Sequence, residues 1–352
     1  MAGPMNQDTD TQGIHNFYFR DIHPKVFLGT ASDRYAGWIG QIYTPGRYRP
    51  NARSKVVGGK SFKEEVLPVE CVREYFTHFS VLEIDYTFYS TLLDKNLEPT
   101  QSYRVLQTYR RFLTKHDHLV LKVPQVVFAR RLRAGGKFID NPDYLNPDIF
   151  TRQFYDPATK ILGDLISGFV FEQEYQPKKD RTPPKEYVDG LDKFFSELPG
   201  DTRYHVETRT ESYYASPYFD LLQKHGIGHV FSHWTWLPPL RKQFLRCGKR
   251  FLNSGRQCII RLMTPRGMRY EEAYAKAFPF DRLVDGMISP GMIPDTVDIV
   301  REAVRDGIQT NVIINNRAGG NAPLIAKEIA RKLADNHGIS KMPDQETGLS
   351  AR

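Results

Sequence analysis

Cysteine is scarce in this chain, with three in 352 residues. Cys71, Cys247 and Cys258 are odd in number, far apart and free of any C-x-x-C pair, which excludes a disulfide framework and a zinc knuckle. They read as buried thiols, Cys71 in a helical pattern and Cys258 in a strand pattern, and a reducing cytoplasm suits them best. Long apolar runs are missing too. None approaches the roughly 20 residues of a membrane helix, so no membrane partner is expected. The opening MAGPMNQDTDTQG has neither a basic nor an apolar stretch and does not read as a secretory signal. There is no internal repeat and no low-complexity linker. The chain also lacks an H-E-x-x-H helix, an aspartate-rich motif and a G-x-S-x-G elbow, which removes the commonest zinc and serine chemistries.

What is present is enough for a sizeable core. Hydrophobic residues make up 40% and charged residues 26%, near the globular average. Residues 1 to about 20 and 337–352 are polar and read as disordered tails. Between them, over 21–336, short apolar runs alternate with amphipathic stretches. Strands are predicted at 26–30, 81–85, 118–124, 168–174, 203–209, 227–234, 257–263 and 309–316. Helical patterns separate them. In 65–79, for example, Val69, Val72, Tyr75, Phe76 and Phe79 share one face, and Gly226 is a natural stop for the helix before the sixth strand. Strands separated by helices pair in parallel. Eight such units in one domain predict an α/β fold, a (β/α)8 TIM-type barrel with expanded βα loops. An open doubly wound sheet is the alternative, but the first βα turn carries no G-x-G-x-x-G.

In such a barrel the functional groups project from the C-terminal strand ends. The second strand ends with Glu83 and Asp85, followed by Tyr86, Phe88 and Tyr89. The third ends with Lys122 and the fourth with Glu172. The fifth carries His205, Glu207 and Arg209 on one face. The sixth carries His229 and His233, the seventh Arg261, and the eighth ends with Asn315 and Asn316. Charges beside a barrel interior are either paired or functional. One reading is a salt-bridged plug in which Glu83, Glu207, Lys122, Arg209 and Arg261 neutralise one another. The other is a substrate pocket. There Glu83 and Glu207 serve as general acid/base or metal ligands, the three cations hold an anion, and the asparagine pair orients polar groups. His205, His229 and His233 are candidate ligands for a divalent metal.

The net charge of +8 sharpens this picture. Arg34, Arg47, Arg49, Arg53 and Lys55 follow the first strand, Arg130, Arg131, Arg133 and Lys137 the third, Arg266 and Arg269 the seventh, and Arg317 the eighth. A barrel gathers these loops on one rim, together with Tyr35, Trp38, Tyr43, Tyr48, Tyr86, Phe88 and Tyr89. Basic groups with interleaved aromatics suit phosphates, sugars and bases, so an anionic small molecule or nucleic acid is the expected partner.

Several segments are familiar: GTASDRYAGWIGQIYTPGRY, YFTHFSVLEIDYTFYSTL, LVLKVPQ, HVETRTESYY, WLPPLRKQF, CIIRLM and NVIINNRAGGNAPLIAKEIARKL. Across 26–333 the chain resembles the YecE-like family, domain of unknown function 72. The resemblance implies a TIM-type barrel and pocket residues Glu83, Tyr86, Lys122, Glu207, Arg209, Arg261, Asn315 and Asn316. It supplies no established reaction; the fold has been likened to metal-dependent apurinic endonuclease and sugar-isomerase barrels. Ser32-Asp33 stands here where the family usually has Gly-Trp, and the loops after strands 1, 3 and 7 are expanded. The functional expectation is a hydrolase or lyase acting on a phosphate-containing or nucleic-acid ligand. The alternatives are a non-catalytic nucleic-acid or nucleotide binder and a metal-dependent sugar-phosphate isomerase.

Overall fold

A computed structural model describes residues 12–335. Eight strands close into one parallel barrel: β1 (Val26–Ala31), β4 (Val81–Ile84), β5 (His118–Lys122), β8 (Ile166–Glu172), β9 (Tyr204–Glu207), β10 (Gly228–His233), β11 (Gln257–Leu262) and β12 (Gln309–Ile314). Their order around the barrel follows the chain, and β12 pairs with β1 to close it. The strands are short and apolar and almost wholly buried, as parallel strands covered on both faces must be.

Two antiparallel hairpins interrupt this scheme: β2 (Asn51–Val57) with β3 (Lys60–Val66), and β6 (Arg131–Ala134) with β7 (Lys137–Asp140). They fill the long loops after β1 and β5. The helix expected from residue 65 therefore begins later. Glu65 and Val66 belong to the first hairpin, a turn of 3-10 helix follows Pro68, and the α-helix spans Val72–His78.

The helices earn their places by amphipathicity. Met292–Arg305 buries Ile293, Val297, Val300 and Val304 on one stripe. The last helix, Ala322–Ala334, starts where the Asn321 side chain accepts from the Leu324 N–H at 2.9 Å. Among the described residues no helix is long and apolar enough to cross a membrane.

The tails expected at 1–11 and 337–352 lie outside the described residues. Residues 12–20 do not behave as a disordered tail. Phe19 is fully buried, its ring 5.1 Å from that of Phe79, and its N–H donates to the His78 carbonyl at 2.8 Å. The run Phe17-Tyr18-Phe19 carries enough apolar surface to hold this stretch on the barrel.

Inside the barrel, alternation stacks side chains in layers. Val81, Val120, Val170, Val230, Ile259 and Ile313 form an apolar layer. Two residues further along their strands stand Glu83, Lys122, Glu172, Ser232, Arg261 and Asn315. The apolar layer thus acts as a floor, and the polar layer above it faces the C-terminal mouth.

Candidate active site

The polar layer is an ion-pair lattice centred on Arg261, which is 2% exposed. Its guanidinium holds Glu83 in a two-bond fork, Nε to Oε2 and Nη2 to Oε1, both 2.7 Å. Its Nη1 donates to Glu172 Oε2 at 2.9 Å and to Glu207 Oε2. Lys122 Nζ lies 2.8 Å and Arg209 Nη2 2.9 Å from the same Glu172 oxygen. Arg209 Nε donates to Glu207 Oε1 at 3.3 Å, and Ser232 Oγ donates to that oxygen at 2.6 Å. Three carboxylates are thereby matched by three cations, as burial at this depth requires. Burial pushes the Glu172 carboxyl up, but Arg209, Lys122 and Arg261 together hold it well below the usual carboxylate range. Burial lowers the Lys122 ammonium, despite the attraction of Glu172.

Above the lattice a cavity of about 980 Å³ opens at the strand ends. Glu83, Asp85, Lys122, Glu172, Arg209 and Arg261 form its floor. Hairpin β2–β3 supplies one wall with Arg53, Lys55 and Glu64. Tyr270, Tyr274, Phe278 and Phe280 supply another. The cations of the wall are partly used. Arg53 Nη2 and Lys55 Nζ pair with Glu64 at 2.7 and 3.1 Å, and Lys55 also lies 4.8 Å from the Tyr274 ring centre. Arg34 and Arg317 also line the cavity. Among the described residues neither has a carboxylate partner, and Arg317 rests on the Tyr270 ring at 4.5 Å.

The expected site residues separate into three groups. Glu83, Tyr86, Lys122, Arg209, Arg261, Asn315 and Asn316 do line the cavity. Tyr86 keeps a buried hydroxyl without a hydrogen-bond partner, and so does the Asn316 side-chain amide nitrogen. The rest of the asparagine pair is structural. Asn315 Oδ1 accepts from the Arg317 N–H at 3.0 Å, and Asn316 Oδ1 from Trp38 Nε1 at 3.2 Å and the Ala322 N–H at 2.8 Å. Glu207 is fully buried beneath the floor and does not line the cavity.

The histidines do not converge, which corrects their reading as metal ligands. His205 lies inside the barrel, packed against Gly168 and Gly228, and its Nδ1–H donates to the Arg203 carbonyl at 3.0 Å. His229 points the opposite way, into the rings of Tyr214, Tyr218 and Phe219. His233 shares that outer face and meets Ser289 Oγ at 3.1 Å. Burial lowers their pKa values to about 4, 3 and 4 respectively. No group of three or more His, Cys, Asp or Glu side chains could hold a metal among the described residues. The donor set of a metal-dependent isomerase is therefore not assembled here.

The rim also needs correcting. Trp38 and Tyr43 are core residues, not ligand platforms. Arg47 pairs with Glu74 at 3.4 Å, and Arg266 donates to the Leu237 carbonyl. Arg130 and Arg131 stand outside the cavity and are occupied. The first donates to the Asp180 carbonyl and Thr182 Oγ1, and the second pairs with Asp180 at 3.2 Å.

Two contributions had no role assigned from the sequence. Asp85 lines the cavity, and its carboxylate has no hydrogen bond or ion pair among the described residues. Its signal was present, since it lies two residues beyond Glu83, just past the end of β4. The Tyr270–Phe280 wall lies in the long loop after β11, from which only Arg266 and Arg269 were singled out.

The same architecture recurs in a solved structure. A DUF72 family protein from Thermotoga maritima superposes with a TM-score of 0.52 at 16% identity, covering 88% of this chain and 98% of that one. A DUF72 family protein from Enterococcus faecalis gives 0.49 at 13% identity, covering 88% and 98%. These likenesses concern the fold alone. No curated protein shows a match. The family model described as "Protein of unknown function DUF72" matches residues 27–347, which takes in all but the first residue of the barrel strands and every floor residue of the cavity, and the chain belongs to that family.

Proposed function

We propose that the cavity is the active site of a hydrolase or lyase acting on a phosphate-containing ligand, free or within a nucleic acid. The observation that carries this is the contrast between floor and mouth. Below, every cation is neutralised by a carboxylate. At the mouth, Arg34 and Arg317 project into the cavity with no carboxylate partner among the described residues. A guanidinium recognises a phosphate by paired N–H donors; Arg34 Nε donates to the Leu67 carbonyl and Arg317 Nε is buried, which leaves their terminal Nη groups for a ligand. Tyr89, which is 72% exposed, offers a face for a sugar or base beside the phosphate. Three buried free thiols agree with a reducing, cytoplasmic setting.

Calorimetric titration with 5′-AMP and with inorganic phosphate tests the reading. Arg34→Ala and Arg317→Ala should each weaken AMP binding at least tenfold, while a surface variant such as Lys193→Ala should not. Equal binding by all three, or none by the wild type, would sink it.

A second reading, a nucleotide or nucleic-acid binder without turnover, has its own support. Glu83 and Glu207, the carboxylates expected to do the chemistry, are saturated by Arg261, Arg209 and Ser232. Absence of turnover of phosphoesters that bind would favour it.

A further inference from the structure

We propose that Asp85 is the proton-transferring residue of this pocket, and that the reaction it serves is hydrolysis of a phosphate ester. The inference rests on the anionic-ligand reading above and goes beyond it in naming a group and a step.

Three carboxylates reach the cavity from the barrel strand ends: Glu83, Asp85 and Glu172. Glu83 has both oxygens in the Arg261 fork. One oxygen of Glu172 accepts from Lys122, Arg209 and Arg261 together. Protonating either would break charged hydrogen bonds inside the barrel and leave a guanidinium unmatched, which is strongly unfavourable. Asp85 carries no such load. It follows β4 directly and sits toward the mouth from Glu83, with its carboxyl in the cavity and no partner among the described residues.

Its surroundings suit a group that must exist in both protonation states. Burial disfavours the carboxylate. Lys122 from β5, Arg317 from the loop after β12 and Lys55 from the hairpin favour it, and Glu83 on its own strand opposes it. The phenols of Tyr35, Tyr86 and Tyr89 and the carboxyl of Asp33 also lie within electrostatic reach. The balance leaves the carboxyl above its ordinary range, with burial as the main cause. Tyr86 Oη and Asn316 Nδ2 are buried behind the lining without hydrogen-bond partners.

The step is as follows. Arg34 and Arg317 hold the non-bridging oxygens of the ester. The Asp85 carboxylate takes a proton from a water as the water oxygen bonds to phosphorus. The bond from phosphorus to the leaving oxygen, opposite the incoming water, breaks; that oxygen keeps the electron pair and takes a proton from solvent, and Asp85 returns its proton to solvent. The products are an alcohol and a phosphate, with no oxidant or reductant involved.

The test compares wild type, Asp85→Asn and Asp85→Glu with two readouts: AMP affinity, and release of nitrophenolate from p-nitrophenyl phosphate and its bis ester. The inference expects Asp85→Asn to bind AMP within threefold of wild type and to be at least as heat-stable. It should lose at least a hundredfold in kcat and lack the acid limb of the pH–rate profile, while Asp85→Glu retains part of the rate. Undiminished turnover in Asp85→Asn overturns the inference and leaves the anionic-ligand reading standing. A wild type that binds AMP but hydrolyses neither ester overturns it as well, and favours the binder. A wild type that binds no AMP overturns both.

Discussion

Arg261 and Glu83 face each other across the barrel lumen through two parallel hydrogen bonds of 2.7 Å, although 178 residues separate them in the chain. The fork matches the planar guanidinium to the planar carboxylate, a fit that a lysine ammonium cannot make. Replacing Arg261 by Met leaves Glu83, Glu172 and Glu207 buried with only Lys122 and Arg209 to answer them. A loss of about 3–5 kcal/mol in urea unfolding is expected. Arg261→Lys should fall between the two. A loss below about 1 kcal/mol for Arg261→Met would mean that the lattice is not holding the barrel together.

Gly228 makes room for a ring. A Cβ placed there would lie 2.2 Å from Cδ2 of His205 on the adjoining strand. Gly228→Ala should therefore destabilise the barrel by about 1–3 kcal/mol. Trimming the ring in the double variant Gly228→Ala/His205→Ala should recover part of that loss as a favourable coupling. Additive losses would contradict the contact.

His229 predicts an acid sensitivity with a defined sign. Burial among aromatic rings lowers its pKa to about 3. The unfolded chain takes up the proton first, near pH 6.5, so stability is present above that value and declines as the pH falls toward 3. By pH 5 the loss from this residue amounts to about 2 kcal/mol. The stability difference between His229→Phe and wild type, measured by denaturant unfolding at pH 7.5 and pH 5, should move in favour of the variant as the pH falls. A pH-independent difference would refute the assignment.

The second hairpin separates structural arginines from free ones. Arg130 and Arg131 tie the hairpin to the 180–182 segment, so neutralising them should lower the melting temperature as well as the charge. Arg133 and Lys137 are exposed and have no ion pair among the described residues. Arg133→Ala/Lys137→Ala should leave the melting temperature unchanged. If nucleic acid binds this face, the double variant should also flatten the salt dependence of its binding. An equal loss of thermal stability in both pairs would erase the distinction.

Periodicity made much of the fold legible. All eight barrel strands stand within two residues of their expected positions, because buried parallel strands are short apolar runs between amphipathic stretches. The two hairpins were missed although V-V-G-G-K and R-A-G-G-K carry their turns. Gly58–Gly59 and Gly135–Gly136 all adopt positive φ, the conformation that two-residue hairpin turns require. Their strands are polar and exposed, so no hydrophobic alternation announced them.

For the site, the chain by itself determined which residues reach the strand ends, since a strand's period of two leaves its side chains little choice. Glu83, Lys122, Glu172, Arg261 and the asparagine pair follow from that alone. Tertiary structure decided which of them are spent. Whether Glu207 faces a ligand or an arginine, and whether Asp85 is paired or open, depends on side chains brought in from strands up to 178 residues away. It also decided that His205 and His229, on neighbouring strands, point to opposite sides of one sheet. Register between strands sets such outcomes, and register is a property of the closed barrel that no single strand carries.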